Sequence, residues 1–63
     1  MKEYAIIFDF KTLVDEDLED ISLELNFIPT INMSIWLHDD FYQVDYVDYL
    51  TTDDVFIVGM KDI

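Results

Sequence analysis

The sequence predicts an α+β fold, a small antiparallel sheet of four to five strands with one or two short helices on one face. Three observations lead to this expectation. Apolar and polar residues alternate over most of the chain, as they do in half-buried strands. One segment near the N-terminus has a helix start signal instead. Hydrophobic residues make up 52% of the 63 positions, too many for a disordered acidic tail and enough for one domain over residues 1–63.

The N-terminal part is predicted to form a strand, a helix and a second strand. Residues 3–10 form a nearly continuous apolar run, which is typical of a central strand covered on both faces. Thr12 is the expected N-cap of a short helix over residues 13–20, because acids follow it where the helix dipole favours negative charge. Residues 21–27 fit both a strand and a continuation of the helical stripe. Leu23 favours the strand, since on a helix it would lie on the acidic face.

The strongest local prediction is a hairpin that pairs residues 21–27 with residues 31–37. Both stretches alternate between apolar and polar residues. Pro29 lies between them and cannot donate a hydrogen bond to a central ladder, so it is expected to mark the turn.

Two more strands are predicted in the C-terminal half. Residues 41–50 are rich in Tyr, Val and Phe, which favours a strand. If this segment is helical instead, a split β-α-β-β-α-β arrangement results. Residues 55–60 form the last predicted strand, with Gly59 at a possible bulge.

The charge of the chain is strongly negative. Fifteen acids face three lysines, giving a formal net charge of −12, and no basic residue lies between Lys11 and Lys61. This balance excludes nucleic acid and anionic membranes as direct partners, because both require cations on the protein. Solubility alone needs a net charge of only about 2–8 in a small domain. The excess favours a surface that meets a basic partner.

Cysteine content and hydropathy indicate the compartment. The chain has no cysteine, as expected in a reducing compartment. Its apolar runs fall far short of the ~20 residues that a membrane-spanning helix needs. We therefore expect a cytoplasmic protein, in the host cell cytoplasm if a phage encodes it.

Residues 5–15 are similar to the opening motif of the haloacid dehalogenase-like phosphatases, an apolar strand that ends in Asp-x-Asp-Gly-Thr-Leu-Val. The resemblance implies that Asp9 is a nucleophile that helps to hold magnesium, and residues 12–14 match the Thr-Leu-Val. The second Asp, the family's general acid, and the Gly are missing, and only Lys11 stands in their place. The chain also leaves no room for the family's parallel sheet. We interpret the motif as a strand that ends in Asp before a capped helix, and we expect no enzyme activity.

The acids and the single histidine are the candidates for a metal site and for a catalytic pair. A calcium loop needs acids at alternating positions around a glycine, and the only glycine is Gly59, so neither a metal site nor a cofactor is expected. His38 is followed by Asp39, but no cysteine or recognisable nucleophilic serine accompanies them. We interpret His38 as an exposed residue at a strand end.

Carboxylates and tyrosines are interleaved, without any cation, over residues 39–54. Tyrosines anchor protein interfaces well, and carboxylates on one face of a strand repeat at roughly 6–7 Å, as a line of phosphates could. The alternative is that the tyrosines belong to the core and the aspartates are only solvated. The predicted partner-binding residues are Asp39, Asp40, Tyr42, Asp45, Tyr46, Asp48, Tyr49, Asp53 and Asp54, with Glu16, Glu19, Asp20 and Trp36.

In composition and size the chain resembles the DNA-mimic inhibitors of bacteriophages, which block restriction, repair, transcription or CRISPR effectors. The resemblance implies a non-enzymatic inhibitor, monomeric or homodimeric, that occupies the basic groove of a nucleic-acid-binding enzyme and so evades host defence. The alternative is a small adaptor or structural module that binds another protein through a sheet edge and through exposed Trp36 or Leu23. A minimal enzyme or metal-binding domain is the third hypothesis.

Overall fold

The computed structural model describes residues 2–11 and 18–63, which form one curled sheet of five strands. The order across the sheet is β2-β1-β5-β4-β3. Neighbouring strands are antiparallel except for β1 and β5, which are parallel, so the sheet is mixed. In chain order the strands are β1 (Tyr4–Asp9), β2 (Ile21–Leu25), β3 (Ser34–Leu37), β4 (Asp40–Leu50) and β5 (Val55–Asp62).

The predicted α+β fold is wrong, because the described residues contain no helix and the sheet curls into a half-barrel. Most of the helix predicted over residues 13–20 lies outside the described residues, and residues 18–20 are irregular. Residues 41–50 belong to β4, so the helical alternative for that segment is wrong too. A sheet that curls can pack its apolar face against itself, which removes the need for a covering helix.

The predicted hairpin of residues 21–27 with residues 31–37 is also wrong. Both segments contain a strand, but β2 pairs with β1 and β3 pairs with β4, at opposite edges of the sheet. Residues 26–33 connect the two edges, and this connection contains the buried Pro29 and, at a positive φ of 71°, Asn32. Alternation predicts which face of a strand is apolar, but it does not identify the neighbouring strand.

The core lies on the inner face of the curled sheet. β1 has the predicted central position, but it is not covered on both faces: Ile6 and Phe8 are buried, whereas Ala5 on the outer face is exposed. Phe10 follows β1 and packs edge-on against the Tyr42 ring at 5.3 Å between centroids. The buried hydrophobic residues are Ile6, Phe8, Phe10, Leu37, Tyr42, Val44, Val58 and Met60.

A bulge in β4 decides which of its side chains face outward. The register with β5 leaves Asp45 as an extra residue between Val44 and Tyr46. We predicted an irregularity at Gly59, and the bulge lies on the neighbouring strand, where Tyr46 is opposite Gly59. Because an extra residue reverses the alternation, Val47 packs against the core after the bulge and Tyr46 turns to the outer face.

Candidate functional site

The predicted acidic surface lies on β4 and its two turns. At about 3.3 Å per residue, the 11 residues of β4 span about 35 Å. The molecule measures 34 × 21 × 18 Å, so a strand of this length fits only along the longest dimension. All six acids of this region are exposed. We call them the β4 acids: Asp39, Asp40, Asp45, Asp48, Asp53 and Asp54.

One end of β4 brings together two of the predicted acidic groups. His38 and Asp39 have φ angles of 50° and 62° and form a two-residue turn before Asp40, as in a type I′ hairpin. The His38 Nε2 donates a hydrogen bond to the Glu19 carbonyl oxygen at 2.8 Å, since a carbonyl can only accept. Glu19 and the neighbouring Asp20 are exposed. This contact joins the β3–β4 turn to the segment that precedes β2.

The middle of β4 presents Tyr46 between two carboxylates. Its ring lies against Gly59, and its hydroxyl donates a hydrogen bond to Asp9 Oδ2 at 3.0 Å. Partial burial raises the pKa of Tyr46, and the hydrogen bond and charge of Asp9 raise it further. The charges of Asp48 and Asp45 act in the same direction. The phenol is therefore neutral in a negative field at physiological pH.

The other end of β4 holds Tyr49 and the last two acids. Tyr49 is 47% exposed, and its hydroxyl donates a hydrogen bond to Asp54 Oδ1 at 2.7 Å. This hydrogen bond is the main reason why the pKa of Tyr49 is raised. Its ring packs on Phe56 at 4.6 Å between centroids. Asp53 and Asp54 lie in the turn to β5, where Asp54 has a φ of 53°. The tyrosine is thus held by its own chain and still accessible.

Three predicted partner-binding residues have different environments. Tyr42 is only 3% exposed and belongs to the core, so its ring supports the fold rather than the surface. Trp36 lies on β3 with its side chain exposed, directly opposite Phe41 of β4. Glu16 lies outside the described residues. Phe41 belongs to the interleaved stretch of residues 39–54 but is not among the predicted partner-binding residues, since its position beside Trp36 depends on the pairing of β3 with β4.

The three lysines are too few to neutralise the acids of the described residues. Lys61 Nζ lies 3.9 Å from Asp45 Oδ1 and donates a hydrogen bond to Asn32 Oδ1 at 3.3 Å. Both side chains of the Lys61–Asp45 pair are more than a third exposed, so the pair adds little stability. Lys2 lies over the ring of Tyr4 at 5.2 Å. Within the part of the chain that the structure describes, 12 acids therefore face three lysines.

The carboxylate that matches the phosphatase nucleophile is engaged within the chain. Asp9 is half-buried; its Oδ1 accepts a hydrogen bond from the Lys11 amide at 2.9 Å, and its Oδ2 accepts one from the Tyr46 hydroxyl. Residues 12–14, which supply the rest of the match, lie outside the described residues. Over residues 2–11 and 18–63, no three His, Asp or Glu side chains are grouped so that they could hold a metal ion. These contacts make Asp9 an acceptor that ties β1 to β4 across β5.

The chain matches no protein-family model, no curated protein and no solved structure. None of the residues that the structure describes forms a helix of the length and apolarity needed to cross a membrane.

Proposed function

We propose that this protein binds, without catalysis, the basic groove of a nucleic-acid-binding protein and blocks the access of nucleic acid to it. The observation that supports this proposal is the exposure of all six β4 acids along the full length of the molecule. Of the three lysines, Lys61 lies close to one of these acids, Asp45. A groove lined with Lys and Arg has the complementary potential for such a surface.

The charge density along the molecule supports a comparison with nucleic acid. The described residues have a net charge of −9, from 12 acids and three lysines. Over the longest dimension of 34 Å this gives one net charge per about 3.8 Å, close to the one phosphate per 3.4 Å of a single DNA strand. It is about half the density of the duplex. The described part of the chain as a whole therefore has the sign and the approximate linear charge density of a single nucleic-acid strand.

The proposal can be tested by capture and competition. The immobilised protein is exposed to a lysate of cells that contain its gene, at about 50 mM and about 200 mM salt. We expect it to retain a nucleic-acid-binding protein at the lower salt only, because screening weakens electrostatic association. Duplex DNA should displace that protein, and the free inhibitor should prevent its binding to DNA. A retained protein that does not bind nucleic acid, or that DNA does not displace, would contradict the proposal.

A second function is favoured by the free edges of the sheet. β2 and β3 are the edge strands, and Leu23 of β2 is 42% exposed. Leu23 also lines a groove of about 280 Å³, together with apolar residues such as Ala5 and Ile7 and with the polar Ser22 and Glu24. An adaptor that adds a partner's strand to β2 would use this edge. Its binding would persist at high salt and would fall in a Leu23→Ala variant, whereas groove binding would depend on salt and tolerate that substitution.

A further inference from the structure

Two large aromatic side chains are exposed beside the acidic turn. Trp36 of β3 lies directly opposite Phe41 of β4, and their rings meet edge to face at 4.9 Å between centroids. Trp36 is 55% exposed and Phe41 is 51% exposed. Tryptophan at a protein surface is a frequent anchor of binding interfaces. The pair therefore presents an open aromatic surface to a partner.

Two acids directly precede Phe41 in the chain. The Phe41 amide donates a hydrogen bond to Asp40 Oδ1 at 2.8 Å, which holds that carboxylate against the backbone of Phe41. Asp39 precedes it in the two-residue turn. Among the described residues, Lys2 is the lysine that lies over an aromatic ring, and that ring belongs to Tyr4 and not to Trp36 or Phe41. The Trp36–Phe41 pair thus combines exposed aromatic rings with negative charge.

We propose that the Trp36–Phe41 pair binds an arginine side chain of the basic partner. The guanidinium stacks on the Trp36 ring, with Phe41 as the second wall, and Asp40 or Asp39 accepts its hydrogen bonds. Arginine fits this site better than lysine, because its planar group is weakly hydrated, stacks on aromatic faces and reaches a carboxylate at the same time. This inference rests on the proposed function, and it identifies the side chain of the partner that binds at one end of β4.

A second copy of the chain does not fit the same site. The sequence contains no arginine, and each copy has a net charge of −12, so two copies repel each other. The arginine must therefore come from a different protein.

Two capped peptides, hexa-arginine and hexa-lysine, test the proposal with the whole chain. Trp36 is the only tryptophan, so its fluorescence reports on this site alone. We expect hexa-arginine to bind about two- to fivefold more tightly than hexa-lysine, since a cation–π contact at an exposed site contributes about 0.5–1 kcal/mol and the planar, weakly hydrated guanidinium makes it more readily than an ammonium group. Only hexa-arginine should change the Trp36 emission strongly.

Variants measured by calorimetry locate the preference. Circular dichroism first confirms that the variants Trp36→Leu and Phe41→Leu fold. Each variant should then bind hexa-arginine and hexa-lysine with equal affinity. Phe27→Leu is the matched control, since Phe27 is also an exposed aromatic residue, and it should keep the preference. Equal affinities in the wild type, or a preference that survives Trp36→Leu, would overturn the arginine site while leaving the acidic surface intact. If neither peptide binds at low salt, the proposed function fails as well.

Discussion

Gly59→Ala tests the packing that turns Tyr46 to the outer face. A Cβ at position 59 would overlap three ring carbons of Tyr46, so the ring must move and its hydroxyl leaves Asp9. Overpacking costs about 1–3 kcal/mol, and a lost hydrogen bond to a charged group about 1.5–3 kcal/mol. Alanine loses less backbone entropy than glycine when a strand forms, which offsets about 0.5–1 kcal/mol of this loss. Because Asp9 is only half-buried, we expect the lower part of this range, a loss of about 2–3 kcal/mol.

That loss is large for this chain. A domain of this length has a total free energy of unfolding of about 3–9 kcal/mol. The melting temperature should fall by about 8–24 °C, at the usual 4–8 °C per kcal/mol for a small domain. Urea denaturation followed by circular dichroism measures the change directly.

A double-mutant cycle identifies the cause. In a Tyr46→Ala background the ring is absent, so Gly59→Ala should cost nothing or stabilise the protein slightly. If Gly59→Ala costs the same in both backgrounds, or stabilises the wild type, the Tyr46–Gly59 contact does not have the role that we assign to it.

Three further predictions concern pH, salt and the β3–β4 turn. The pKa of Tyr46 is raised above 10.0, so the folded state keeps this proton longer than the unfolded state. The free energy of unfolding should therefore be unaffected by this group below pH 10 and should fall as the pH rises through the folded pKa. Chemical denaturation should show that Tyr46→Phe loses less of its free energy of unfolding than the wild type between neutral and alkaline pH. Added salt should raise the melting temperature, because it screens repulsion among 15 acids, and a fall on adding salt would contradict this reasoning. Asp39→Gly relieves a positive φ of 62°, which costs an L-residue about 1–2 kcal/mol, but glycine loses about 0.5–1 kcal/mol more backbone entropy on folding, so the free energy of unfolding should rise by about 0.5–1 kcal/mol. The same variant should bind a basic partner more weakly. An unchanged denaturation midpoint would show that this turn is not strained.

The positions of the strands could be predicted because burial imposes a short-range pattern on the sequence. β1 and β5 lie where apolar runs predict them, and the aromatic content of residues 41–50 correctly favours the strand that became β4. The pairing of the strands could not be predicted in the same way. Pro29 looks like a hairpin turn, but it is a buried residue of a connection between opposite edges of the sheet.

The candidate site was predictable in its charges and not in its aromatic residues. Aspartates are expensive to bury, so the exposure of the β4 acids follows from their chemistry. The tyrosines depend on register: Tyr42 is buried, whereas Tyr46 turns outward only because Asp45 is the extra residue of a bulge. Phe41 becomes part of the surface through its pairing with Trp36, which no local pattern reveals.

The most direct test compares two pairs of charge substitutions in binding to the nucleic-acid-binding protein that the chain retains. Asp45→Asn with Asp48→Asn removes two of the β4 acids, and Glu3→Gln with Glu24→Gln removes two exposed acids outside β4. Both variants have the same net charge. A close charge pair contributes about 1 kcal/mol in water, so the first variant should bind about 30-fold more weakly and the second nearly as well as the wild type. Equal losses in both variants would mean that only the total charge matters and that β4 is not the docking surface.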